Sequence, residues 1–152
     1  VAAIGVGLRY LHDHAPTRTC PFSWSTGDRA ITAQRRAVDA LTDPTVWNET
    51  HRHLPPEDAL AIVKNAPPVD RLVVCHGEAC APNTIIDARA WSGHVDLGSL
   101  GLADRWADLA IATWSTEWNY GPRWERALLN AYEENVPLPG TNCLLQLLWD
   151  LS

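Results

Sequence analysis

Apolar residues return at helical spacing at the start of the chain. Ile4, Leu8 and Leu11 share one face, which predicts a buried helix over 1–14 ending before Pro16. The period lapses through CPFSWSTGD, where Thr26 and Gly27 are turn-type residues. Asp28 is expected to cap a polar, arginine-rich helix reaching about Leu41. In LPPEDALAIVKNAPP a proline falls in the first turn, Glu57 and Asp58 follow it, and Lys64 comes near the end, the order a helix dipole favours. The pattern then changes. Leu72 to Cys75 is a short apolar run meeting Gly77, the look of a buried strand feeding a loop. TIID and WSGHVD flank ARA as the arms of a hairpin with Asp96 at its exit. Gly98 and Gly101 open the backbone before a helix in which Leu102, Trp106, Leu109 and Ala110 keep helical spacing. Two further helices, about 123–134 and about 142–151, complete an α+β chain, mostly helical around a small hairpin.

At 152 residues the chain fits a single domain. Its net charge of −6 argues against nucleic acid as a partner and favours a cationic or neutral one. Four unevenly spaced cysteines read as reduced thiols, so a cytoplasmic location is expected. The apolar opening VAAIGVGLRYL is too short to cross a membrane and lacks the marks of a targeting segment. A start on Val1 with no methionine anywhere predicts an excised domain or truncated product. The only lysine is Lys64, which bears on any use of ATP, because a lysine commonly meets the phosphates.

The densest chemistry lies in VVCHGEACAPNTIID, and three readings compete for it. For structural zinc, Cys75 and His76 are adjacent and point to opposite faces of a strand. The pairs His12/His14 and His51/His53 lack ligand spacing and read as surface or cap histidines. For a zinc deaminase, HGE supplies half of the signature, but no P-C-x-x-C follows. A phosphotransferase of the protein-kinase type uses more of the residues. It needs an acid on a loop after a strand, an Asn five residues on and an Asp after a hairpin, and Glu78, Asn83 and Asp96 stand in that order.

VVCHGEACAPN, SGHVDLGSLGLADRWADLAIAT and CPFSW, with LLQLLWDLS at the end, resemble the C-terminal lobe of aminoglycoside phosphotransferases, most of all streptomycin 3''-phosphotransferases. The likeness covers roughly 1–132 and returns at the last helix. It implies a protein-kinase-like C-terminal lobe, ATP and Mg²⁺ as cofactors, and phosphorylation of a hydroxyl on an aminoglycoside, giving resistance. Carried over by residue, it makes Asn83 and Asp96 the Mg²⁺ ligands and gives Glu78 the place of the catalytic acid. His76 shapes the loop. Asp104, Arg105 and Asp108 fall in the family's A-D-R-x-x-D run, whose plain physical reading is a helix start with local ion pairs. The family's acidic C-terminal end reaches the drug, so Asp150 and the terminal carboxylate of Ser152 are expected to bind substrate; otherwise Asp150 reads as a solvated helix-end residue.

The departures are specific. Glu78 replaces the family's Asp, Ser99 stands where an arginine is usual, and Glu133 to Gln146 does not follow the family's approach to the last helix. No glycine-rich phosphate loop or strand lysine is present, so the nucleotide-binding N-terminal lobe is expected to be absent from this sequence. Two functions follow. One is a kinase lobe that works with its N-terminal partner lobe; the other is a truncated or degenerate relative that binds a cationic ligand and transfers no phosphate.

Overall fold

The computed structural model describes residues 1–39, 41–66, 68–133 and 142–151. Its elements run α1 (Ala2–His14), α2 (Thr26–Val38), α3 (Pro56–Lys64), β1 (Leu72–Cys75), β2 (Thr84–Asp87), β3 (Ala90–His94), β4 (Gly101–Asp104), α4 (Trp106–Tyr120), α5 (Glu125–Tyr132) and α6 (Asn142–Leu151). The class is α+β, as the sequence predicts.

Helix α4 is the axis. Every residue from Trp106 to Thr116 is buried, so this stretch is enclosed on all sides rather than along one stripe. Helices α5 and α6 pack on α4, α1 packs on α5, and α2 and α3 pack on α6. Where α1 meets α5 the backbones come close at Gly5, where a Cβ would stand 2.3 Å from the Leu128 carbonyl oxygen. Among the described residues no helix is long and apolar enough to cross a membrane.

Two helix boundaries differ from expectation. The cap of α2 is Ser25, whose Oγ accepts the Asp28 N–H at 3.1 Å, and Asp28 lies inside the first turn. The Ser25 hydroxyl donates in return to the Asp28 carboxylate, a reciprocal arrangement that stabilises the helix start. Helix α2 then stops at Val38, short of Leu41.

Strand β4 is a correction. Leu102, expected on the long helix, belongs to this strand instead, and α4 begins only at Trp106. Gly101 to Asp104 alternate between buried and half-buried, the period of a strand. They pair antiparallel with β1, Leu72 facing Asp104 and Cys75 facing Gly101. On the other edge of β4, the Leu102 N–H donates to Phe22 and its carbonyl accepts from Trp24, both at 2.9 Å. The chain at 22–24 therefore extends this small sheet.

The expected hairpin is present. Strands β2 and β3 join through Ala88 and Arg89, both left-handed at φ +45° and +70°, as a two-residue type I′ turn requires. Ile85 faces Gly93 while Ile86 faces Trp91, which leaves Ser92 as the extra residue of a bulge. The hairpin rests on α1, where Gly7 meets the Trp91 ring.

Candidate functional site

Strand β1 delivers the chain into the loop 76–83, and a buried acid holds that loop. Asp108, fully enclosed in the first turn of α4, accepts the His76 N–H at 2.6 Å and the Gly77 N–H at 2.9 Å. It also accepts His12 Nε2–H at 2.9 Å. Burial alone would push its carboxyl pKa up, but the His12 bond and charge and the two backbone N–H groups outweigh burial. The group lies below the usual carboxylate range.

The A-D-R-x-x-D run therefore does not form local ion pairs. Asp104, the last residue of β4, accepts the Trp106 N–H at 2.9 Å, and Arg105 reaches across to Asp70 at 2.7 Å and to Glu133. His12 corrects the surface reading of the early histidines in the same way. It lies on the face of α1 that carries Ile4 and Leu8, is buried, and places Nδ1 2.9 Å from the Tyr132 hydroxyl. Burial raises the Tyr132 pKa to about 12, so that hydroxyl keeps its proton at neutral pH. His12, Cys75 and Asp108 have ligand atoms within 4.8 Å of one another. The cluster is nonetheless a hydrogen-bonded anchor: the Asp108 oxygens are taken, and burial raises the Cys75 thiol well above its usual value while Sγ–H donates to the Asp104 carbonyl.

The loop's other contacts lead to the expected site residues. His76 Nδ1 accepts the Glu78 N–H at 3.2 Å, so His76 shapes the turn. Gly77 is left-handed at φ +83°, and a Cβ there would stand 2.0 Å from the Ser99 carbonyl oxygen. Only glycine permits that approach of the loop to the chain beyond the hairpin. Asn83 Nδ2 donates to the Glu78 carbonyl at 2.9 Å, and the Asn83 carbonyl accepts the Val95 N–H at 3.0 Å. Asn83 therefore sits opposite the residue before Asp96, at the open end of the hairpin. Asp96 is exposed, left-handed at φ +61°, and its carboxylate has no partner among the described residues. With Asn83 Nδ2 committed to Glu78, Oδ1 is the Asn83 atom suited to a cation. Oδ1 and the Asp96 carboxylate are hard oxygens of the type Mg²⁺ takes.

Glu78 opens into a cavity of about 190 Å³ lined by Trp24, Gly77, Ser99 and Trp149. A larger one, about 520 Å³, lies between α4, the turn at 121–126 and Gln146, and holds none of the expected site residues. Of the expected site residues only Glu78 lines the smaller cavity; Asn83 and Asp96 line neither.

Asp150 is not a solvated helix-end residue. Its side chain is 9% exposed and accepts from His51 Nδ1 at 2.6 Å and from the Asn48 N–H at 3.2 Å. His51 is itself buried, against the surface reading of that histidine. Ser152 lies outside the described residues, as do 134–141, most of the stretch that departs from the resemblance.

The profile of the APH phosphotransferase enzyme family matches residues 1–143. The chain belongs to the phosphotransferase enzyme family. Within that family, the aminoglycoside 3'-phosphotransferase of Niallia circulans is 35% identical over 127 residues, covering 83% of this chain and 48% of that protein. The streptomycin 3''-kinase of Streptomyces griseus is 35% identical over 118 residues, covering 72% and 43%. The solved structure of aminoglycoside phosphotransferase APH(3'')-Id from Streptomyces rimosus in complex with ADP and streptomycin superposes with a TM-score of 0.78. The identity is 28%, over 99% of this chain and 62% of that one. The fold is thus the protein-kinase-like one of aminoglycoside phosphotransferases. The phosphotransferase chain spans about half the length of the curated relatives it matches.

The sequence did not reveal the Asp108 anchor, which joins residues about thirty positions apart, or the two tryptophans lining the cavity. The burial of His12 had a signal, since it lies four residues after Leu8 on the same helical face.

Proposed function

We propose that this chain is the substrate- and metal-binding lobe of an aminoglycoside phosphotransferase. The enzyme moves the γ-phosphoryl group of ATP to a hydroxyl of a streptomycin-like drug, giving resistance, and uses an N-terminal nucleotide lobe not contained in this sequence. The observation that supports the reading is the pair of bonds made by Asn83, whose Nδ2 donates to the Glu78 carbonyl and whose backbone carbonyl accepts the Val95 N–H, so the loop that carries Glu78 is tied to the strand exit that precedes Asp96. The relatives support the same class, and the net charge of −6 suits a polycationic substrate. Among the described residues Cys20, Cys75 and Cys80 are free thiols, in keeping with a cytoplasmic enzyme.

In this reading Glu78 accepts a hydrogen bond from the substrate hydroxyl and takes its proton as the oxygen bonds to phosphorus and the bond to ADP breaks. Asn83 Oδ1 and the Asp96 carboxylate would hold Mg²⁺, which would offset the charge of the phosphates. Asp108 and Gly77 keep the loop backbone in place, so the acid is positioned before substrate arrives. Mass spectrometry of streptomycin incubated with ATP, Mg²⁺ and the chain joined to a relative's nucleotide lobe tests the proposal. Gain of one phosphoryl group is expected. Streptomycin that binds and stays unmodified would make the chain a binding remnant.

A further inference from the structure

Two indoles line the cavity into which Glu78 opens, and they are not equivalent. The guanidinium carbon of Arg29 lies 4.8 Å from the ring centroid of Trp24, so one face of that ring already carries a cation. Trp149 has no ring or guanidinium stacked on it among the described residues, and it is half-buried. Its position is fixed by the next residue. The Asp150 carboxylate is spent on the Asn48 N–H and on His51, and the His51 ring packs edge-on against Trp114 at 5.9 Å. The last turn of α6 is thereby tied to α4 and to the chain at 48–51. A carboxylate so engaged is a poor direct ligand for a drug but a good clamp.

Resting on the reading above, we propose that Trp149 determines substrate specificity by stacking a planar guanidinium of the drug beside Glu78, and that Asp150 is the positioning residue that holds the indole there. The chemistry selects guanidinium over ammonium. A guanidinium is flat, delocalised and weakly hydrated, so it gives up water to lie on an indole face, whereas an ammonium holds its water. Glu78 in the same cavity adds a negative charge at the edge of the stack. The cavity is small, about 190 Å³, and half open, so a flat guanidinium can enter it while the rest of the drug lies outside. The inference therefore separates streptomycin, which carries two guanidinium groups, from kanamycin, whose cations are all ammonium.

The test is calorimetric binding of both drugs to the 152-residue chain and to Trp149→Leu, Trp149→Phe, Asp150→Asn and the Trp149→Leu/Asp150→Asn double variant, each checked for folding by circular dichroism. Removing the stack should weaken streptomycin by about 2- to 30-fold in Trp149→Leu, the range a cation–π contact spans. Trp149→Phe should lose less, and kanamycin should change less than about twofold, because no stack is lost. If Asp150 acts through Trp149, Asp150→Asn weakens streptomycin alone but adds nothing in the double variant. A fully additive loss would make Asp150 a direct ligand and overturn its positioning role. Streptomycin binding equally well to parent and Trp149→Leu would overturn the assignment of Trp149 and leave the aminoglycoside reading standing. A parent chain that binds neither drug would overturn that reading, and the inference with it.

Discussion

The carboxylate of Asp108, in the first turn of α4, accepts the backbone N–H of Gly77 at 2.9 Å across 31 residues of chain. The adjacent His76 N–H donates to the same carboxylate. A fixed negative charge in the core thus sets the path of the loop that carries Glu78, and the most buried helix of the fold is coupled directly to the site.

That coupling predicts an acid-sensitive fold. The Asp108 pKa is depressed in the folded state, so its stabilisation is complete above the ordinary aspartate value of about 3.9 and is lost as pH falls through the lower folded value. Urea melts from pH 7 to pH 2 should show stability declining below about pH 4. Asp108→Asn should cost about 3 kcal/mol or more at neutral pH, since it leaves buried donors facing an amide, and should flatten the acid limb. Unchanged stability in Asp108→Asn at pH 7 would contradict the anchor.

Gly77 is the second constraint on the loop. Alanine there meets the Ser99 carbonyl oxygen and must hold φ near +83°. Gly77→Ala is expected to destabilise the chain by about 1–2 kcal/mol from the left-handed backbone alone, with the clash adding to it. Thermal melts give the stability. If the variant is as stable as the parent, the loop does not press on residue 99.

The hairpin turn offers a gain. Ala88 and Arg89 hold positive φ without the side chains that favour it. Replacing them with Asn and Gly should stabilise the chain by about 1 kcal/mol, visible as a raised melting temperature. A fall in melting temperature would show that the turn is not of the I′ type.

How far the sequence reached depends on distance along the chain. Pro56 with its acids, the β-branched run at 72–75 and the polar ends of TIID and WSGHVD are local signals, and each produced the expected element. Strand β4 was missed because Gly101 to Asp104 is four residues long and abuts a helix, so its apolar positions fit either period; pairing with β1 decided the outcome. The local-ion-pair reading of Asp108 and the solvated reading of Asp150 fail for another reason. An acid in a first turn or near a helix end looks solvated until the partner arriving from elsewhere is known, here the 76–77 backbone and His51. Burial of His12 is legible from spacing, because it follows Leu8 by four residues on the face that carries Ile4.

The most direct test of the account is steady-state turnover of streptomycin at one Mg²⁺ concentration by the chain joined to a nucleotide lobe, compared with its Glu78→Asp and Glu78→Ala forms. Glutamate is one methylene longer than the family's aspartate, which displaces the carboxylate by about 1 Å, and a misplacement of that size costs up to roughly 10²-fold in rate. Glu78→Asp should therefore raise turnover at constant nucleotide affinity, and Glu78→Ala should abolish it. Retention of the parent rate by Glu78→Ala would contradict the account, because the anchored loop would then carry no working acid.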